Sequence, residues 1–177
     1  MAGCAIAATI EIETRREGEA IEIRASAHID ADLQSAWQVI TDYGHFAAFI
    51  PDLRESRVIA RHGAAVTVEQ SGDAQLWLFR MPLSITFAIV ESAPYRLHSR
   101  AIAGSMRSLE SDYELRPEGR GVRLLYAGHV VPGFSLFGPF EERAVEHNVG
   151  RQLRALADEI ERRHALGSGR PSEPRSP

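Results

Sequence analysis

Five polar residues stand where the surrounding pattern asks for apolar ones: Ser99, Ser111, Tyr113 and Tyr126 on strand-like runs, and Asn148 on a helical stripe. Hydroxyls and an amide aimed into an oily space can orient a bound molecule by hydrogen bonding. Each also has a structural use, since a serine can bond local backbone and a tyrosine can lead its tip to solvent. Gln70, beside Val66 and Val68, is a sixth such group, and a buried amide needs a partner in a ligand or in a neighbouring strand.

Reactive chemistry finds less support. The seven histidines (28, 45, 62, 98, 129, 147 and 164) form no i,i+4 pair on one helix and no cluster with the lone Cys4, so neither a metal nor a cofactor is expected. No serine sits in a nucleophile-elbow context. Tyr113, Tyr126, Glu69 and Asp112 are the available acid/base groups, but Glu69 and Asp112 carry the strand parity of the solvent face. No inward carboxylate emerges, and no catalytic residue is assigned.

The elements that would position these groups are legible from their periods. Trp77, Phe79, Met81, Leu83, Ile85, Phe87 and Ile89 occupy every odd position of one run, a strand period with one face for an interior. So long a strand must twist and bend. Pro82 at its middle marks a bulge, an edge or a break. The matching faces of its neighbours would be Leu97, Ser99, Ala101 and Ala103, then Leu109, Ser111, Tyr113 and Leu115, then Val122, Leu124 and Tyr126. Such a concave face lines either an ordinary core or a ligand cavity.

Two alternating segments, 9–13 and 20–28, flank Arg15-Arg16-Glu17-Gly18 as a hairpin. Asp30 is the expected N-cap of a short helix reaching about Asp42, with Asp32 in its first turn, and a second short helix covers 44–49 before Pro51. Strands follow over 54–61, 65–71, 75–91, 96–103, 108–116 and 122–131. Turn-like links such as Ser71-Gly72-Asp73 are short enough for an antiparallel meander. From Gly138-Pro139-Phe140-Glu141 a helix runs to about His164, with Ala144, Val145, Asn148, Val149, Gln152, Leu153, Leu156 and Ile160 on one stripe. At about 26 residues it is about 39 Å long, enough to cover one face of the sheet. The layout is α+β.

Composition narrows the partners. Lys and Arg number 20 against 24 Asp and Glu, a net charge of −4 with the signs interspersed, so no phosphate-binding face is advertised and nucleic acid is not an expected partner. A single cysteine excludes an intrachain disulfide. No run approaches the roughly 20 apolar residues of a membrane span, which leaves peripheral membrane contact. Residues 1–8, MAGCAIAA, read as the remnant of an export signal or as a disordered cytoplasmic start, so a periplasmic or envelope location and a cytoplasmic one both stay open. Residues 167–177, rich in Gly, Ser, Pro and Arg, read as a disordered tail. The 177 residues suffice for one domain with a real core, over 9–166.

The stretch Ala36-Trp37-Gln38-Val39-Ile40-Thr41-Asp42-Tyr43, then Phe46 and Phe49-Ile50-Pro51, resembles the START-like (SRPBCC) helix-grip superfamily, particularly its polyketide cyclase/dehydrase and coenzyme Q-binding branch. The helix ending Leu153-Arg154-Ala155-Leu156-Ala157-Asp158-Glu159-Ile160 is similar to that branch too, and the likeness covers about 21–164. It implies a curved antiparallel sheet wrapped around the terminal helix and a cavity for a small hydrophobic ligand. It does not name the ligand, because this superfamily hosts lipid carriers, hormone receptors, aromatase/cyclases and toxin-like proteins.

On this reading Trp77, Phe79, Met81, Ile85 and Phe87 are cavity walls, faced by Phe140 and Asn148 from the helix. Ser99, Ser111, Tyr113 and Tyr126 supply specificity, Phe46, Phe49 and Pro51 form a lid, and Pro132-Gly133-Phe134-Ser135 is the hinge before the helix. The expected function is binding, and transport, of a lipid, isoprenoid or polyketide-like molecule. The alternatives are an aromatase/cyclase acting on a polyketide-like substrate and a protein-interaction module.

Overall fold

The computed structural model describes residues 9–76, 79–133 and 139–168, without the side chains of 75, 76, 79, 139 and 140. Apolar residues alternate with polar ones along β1 (Ile10–Glu17) and β2 (Ala20–Ile29), which pair antiparallel. Gly18 supplies the positive φ of 62° that their two-residue turn requires. Along β2, Ile21, Ile23, Ala25, Ala27 and Ile29 are buried and the residues between them are not.

α1 (Leu33–Ile40) starts two residues later than the sequence indicated. Its N-cap is Asp32, whose carboxylate accepts the Ser35 N–H at 2.6 Å, and not Asp30. Ala31 turns back onto Ile29 through an N–H to carbonyl bond of 2.9 Å, which puts Asp30 on the outside of a tight turn. The Asp30 N–H donates instead to Glu161. A 3-10 helix, Tyr43–Ala48, follows where the second short helix was expected.

Six strands then run as an antiparallel meander: β3 (Leu53–His62), β4 (Ala65–Leu76), β5 (Phe79–Ser92), β6 (Arg96–Gly104), β7 (Ser108–Glu118) and β8 (Gly121–Val131). β8 pairs with β2, giving one sheet in the order β1-β2-β8-β7-β6-β5-β4-β3. Ser71-Gly72-Asp73 is not a turn. β4 continues through it, with Gly72 opposite Leu83 and Asp73 opposite Pro82. The long run therefore divides, and Trp77 falls between β4 and β5, outside the described residues. Pro82 sits where β5 has a neighbour on one side only, since pairing with β6 begins at Ile85. A register shift after Thr86 inserts Ile102 into β6, so that Ala103, expected inward, is exposed.

α2 (Pro139–Ser168) extends past His164 and takes in Gly167, assigned above to the tail. Leu153, Leu156, Ala157 and Ile160 of its C-terminal half are buried in one core cluster with the inward residues of β2, α1 and β8. An ion pair ties this end to Asp42, which lies between α1 and the 3-10 helix. Arg163 donates to Asp42 and to Glu159, each at 2.6 Å, and its guanidinium lies 5.8 Å from the Phe49 ring centroid. Burial opposes ionisation of Asp42, but hydrogen bonds from His45 and Arg163 outweigh it and hold this carboxyl below its ordinary range.

Candidate functional site

The C-terminal half of α2 fills one end of the concave face, and its N-terminal half spans the other end without filling it. A cavity of about 240 Å³ remains there. β5 contributes Leu83, Ile85, Phe87 and Ile89, the later odd positions of the long apolar run. Leu97, Leu109 and Val130 continue the sheet wall, and Ala144, Val145 and Val149 close it from α2. Ile40, Phe46, Ile50, Pro51 and Leu53 cover one mouth.

The polar groups foreseen in the sequence converge on this space. Ser99, Ser111, Tyr113, Tyr126, Asn148 and Gln70 all line it. The Ser99 and Ser111 hydroxyls bond each other across β6 and β7 at 2.8 Å, rather than bonding backbone. Tyr113 and Tyr126, opposite each other on β7 and β8, meet edge to face with ring centroids 4.9 Å apart. Tyr126 lies along its own strand over Gly128, where a Cβ would meet its hydroxyl oxygen at 2.6 Å. Burial raises both phenols. Tyr113 is pushed up to about 12, and Tyr126 rises further, with Tyr113 adding to the effect of burial and Ser111 opposing it. Gln70 finds its partner within the protein, its amide donating to the Ser56 hydroxyl at 3.2 Å. The Asn148 amide donates to the Ala144 carbonyl at 2.6 Å.

Other assignments require correction or fall outside the description. Phe46 and Pro51 face the cavity, whereas Phe49 packs edge-on against Phe46, with ring centroids 5.7 Å apart, and turns toward Arg163. Met81 shares the inward parity of β5 but is not part of the described lining, although Ala74 opposite it is. Of the hinge segment, Pro132 lines the cavity, while Phe134 and Ser135 lie outside the described residues. Trp77 and the side chains of Phe79 and Phe140 lie outside them too.

Carboxylates are the groups that sequence reading did not place. Asp52, Asp73 and Glu141 all line the cavity. Glu141, read from sequence only as a first-turn acid, precedes Val145 and Asn148 by four and seven residues, so helical spacing alone puts it on their face. It is buried, and Arg16 donates to it at 2.5 Å. Asp52 accepts from Arg151 at 2.5 Å, and Asp73 from Arg54 at 2.9 Å. Asp52 also adopts a left-handed φ of 61° in the short link from the 3-10 helix to β3. Its carbonyl accepts the Asp73 N–H at 2.9 Å, so the cavity mouth is tied to β4 beside Gly72.

Among the described residues, no helix is long and apolar enough to cross a membrane. The arrangement can enclose a compact apolar molecule and offer it neutral hydrogen-bonding groups.

Solved structures share this architecture. Protein TTHA0849 from Thermus thermophilus superposes with a TM-score of 0.70 at 17% identity, over 84% of this chain and 99% of that one. The Zhui aromatase/cyclase from a Streptomyces species gives 0.67 at 14% identity, over 85% and 98%. A STAR-related lipid transfer protein from Xanthomonas axonopodis gives 0.67 at 16% identity, over 90% and 96%. At such identities the likeness is one of fold, here the START-like helix grip. No curated protein shows a significant match. The family model described as polyketide cyclase / dehydrase and lipid transport matches residues 20–165, the sheet and helix that build the cavity, and the chain belongs to that family.

Proposed function

We propose that the cavity between the sheet and the N-terminal half of α2 binds a small hydrophobic molecule and that the protein carries it. The observation that supports this is a space of about 240 Å³ lined mainly by aliphatic and aromatic side chains, with few polar groups among them. A ligand of about eight carbons, at about 0.8 kcal/mol per buried CH₂, gains about 6 kcal/mol before ordering costs. Affinity in the range of tens of micromolar or weaker follows. Native mass spectrometry of protein purified from its own host, followed by organic extraction, tests the reading. A defined excess mass that extracts as an apolar compound is the expected outcome, and a cargo that is water-soluble and charged contradicts it.

A second reading, an aromatase/cyclase acting on a polyketide-like substrate, is favoured by the position of Glu141 and Tyr113 in one lining. Here a carboxylate and a phenol could share proton transfers. Turnover of such a substrate, abolished in both Tyr113→Phe and Glu141→Gln, would establish it. Inactivity across a panel of poly-β-keto substrates would remove it.

A further inference from the structure

The charge pattern around the cavity is one-sided. Its described lining holds three carboxylates, Asp52, Asp73 and Glu141, and no Lys, Arg or His. Residues 77–79 and 134–140, which adjoin the described walls in sequence, contain no basic residue either. The arginines that engage the three carboxylates are not themselves part of the lining. A carboxylate or phosphate entering this space would exchange water for three acidic groups and gain no counter-charge, and a buried unpaired ion is severely penalised. A cation fares little better, because each acid is already charge-paired with an arginine.

The neutral groups point the other way. Ser99 and Ser111 are bonded to each other, and Gln70 is engaged by Ser56. The Tyr113 hydroxyl has no hydrogen-bond partner among the described residues, and the part of this half-buried side chain that is not covered by protein opens on the cavity. A phenol is protonated at physiological pH, and burial here raises it further, so it is a standing donor that wants an oxygen acceptor. Size adds a limit, for the cavity measures about 240 Å³.

We propose that the cavity selects compact uncharged molecules bearing a carbonyl or hydroxyl oxygen, which the Tyr113 phenol anchors, and that it rejects carboxylates and phosphates, free fatty acids among them. This rests on the hydrophobic-ligand reading above and narrows it.

Four probes of one size separate the two. Acetophenone, ethylbenzene, benzoate and benzylammonium are titrated by NMR into the full chain and into Tyr113→Phe. Acetophenone should bind the unmodified protein about threefold to tenfold more tightly than ethylbenzene, the worth of one net hydrogen bond. Tyr113→Phe should erase that advantage and leave ethylbenzene unchanged, which also certifies that the variant is folded. Benzoate and benzylammonium should bind at least tenfold more weakly than acetophenone. Benzoate or benzylammonium within threefold of acetophenone, or an acetophenone advantage that survives in Tyr113→Phe, overturns the selectivity while ethylbenzene binding upholds the apolar site. Failure of all four to perturb cavity resonances overturns the apolar site itself.

Discussion

One added methyl group separates two kinds of glycine in this chain. A Cβ at Gly72 would meet the Asp52 carbonyl oxygen at 2.3 Å, and both partners are backbone that cannot step aside. Gly72→Ala should cost about 1–3 kcal/mol in urea unfolding, as overpacking does. Gly150, in α2, has nothing within 4 Å of its Cβ position, and Gly150→Ala should raise stability by about 0.5–1 kcal/mol in the same measurement. Equal losses in the two variants would remove the close-approach explanation for Gly72. The contrast also shows where sequence reading stops. Ser71-Gly72-Asp73 reads as a turn because glycine serves a turn and a close backbone approach equally well, and only the position of residue 52 tells them apart. Ser111 and Tyr113 were legible because strand parity fixes their direction without any knowledge of the partner strand. Asp52 was not, since a residue in a four-residue link carries no period at all.

At the scale of elements, α2 works as two half-helices. Its C-terminal half packs into the core, and its N-terminal half is one wall of the cavity. The apolar stripe predicted the contact face along both halves, but not that the same stripe meets packed side chains in one and open space in the other. That difference depends on the sheet's bend, which no local pattern encodes. The packed half carries its own acid sensitivity. Hydrogen bonds from Arg162, and then from Arg163, hold the Glu159 carboxyl down to about 2 against the opposing effect of burial. In the unfolded chain it titrates near its ordinary 4.5. The folded state thus gains stability from Glu159 that is complete above that value and lost as pH falls toward about 2. Glu159→Gln should lower stability at neutral pH and flatten this part of the acid limb, as seen in urea titrations at a series of pH values. An unchanged limb would mean that other carboxylates govern it. At the opposite end of the same contact, Asp32→Ala removes the α1 cap and should cost about 1 kcal/mol.

For the whole molecule, strand order grades the stability. β1 and β3 lie at the two edges and have one partner each, whereas β8 lies between β2 and β7. Native-state hydrogen exchange should find the slowest amides in β8 and the faces of β2 and β7 that pair with it, and the fastest strand amides in β1 and β3. Uniform protection across the sheet would contradict this gradient. Element order and the α+β class were readable from period and turn spacing, and the family likeness supplied the wrap of sheet around helix. The junction that sets this gradient was not readable, because β2 and β8 are far apart in sequence. Ile21 lies opposite Val130, so the first hairpin must wait for almost the last strand. During synthesis, a chain released only as far as β7 would hold one flank of β2 without its neighbour, and α2, which follows β8, could not yet cover the apolar face. The sheet and helix should therefore fold only once α2 has been made, and nearly all at once, with the incomplete sheet as the species most in need of a chaperone.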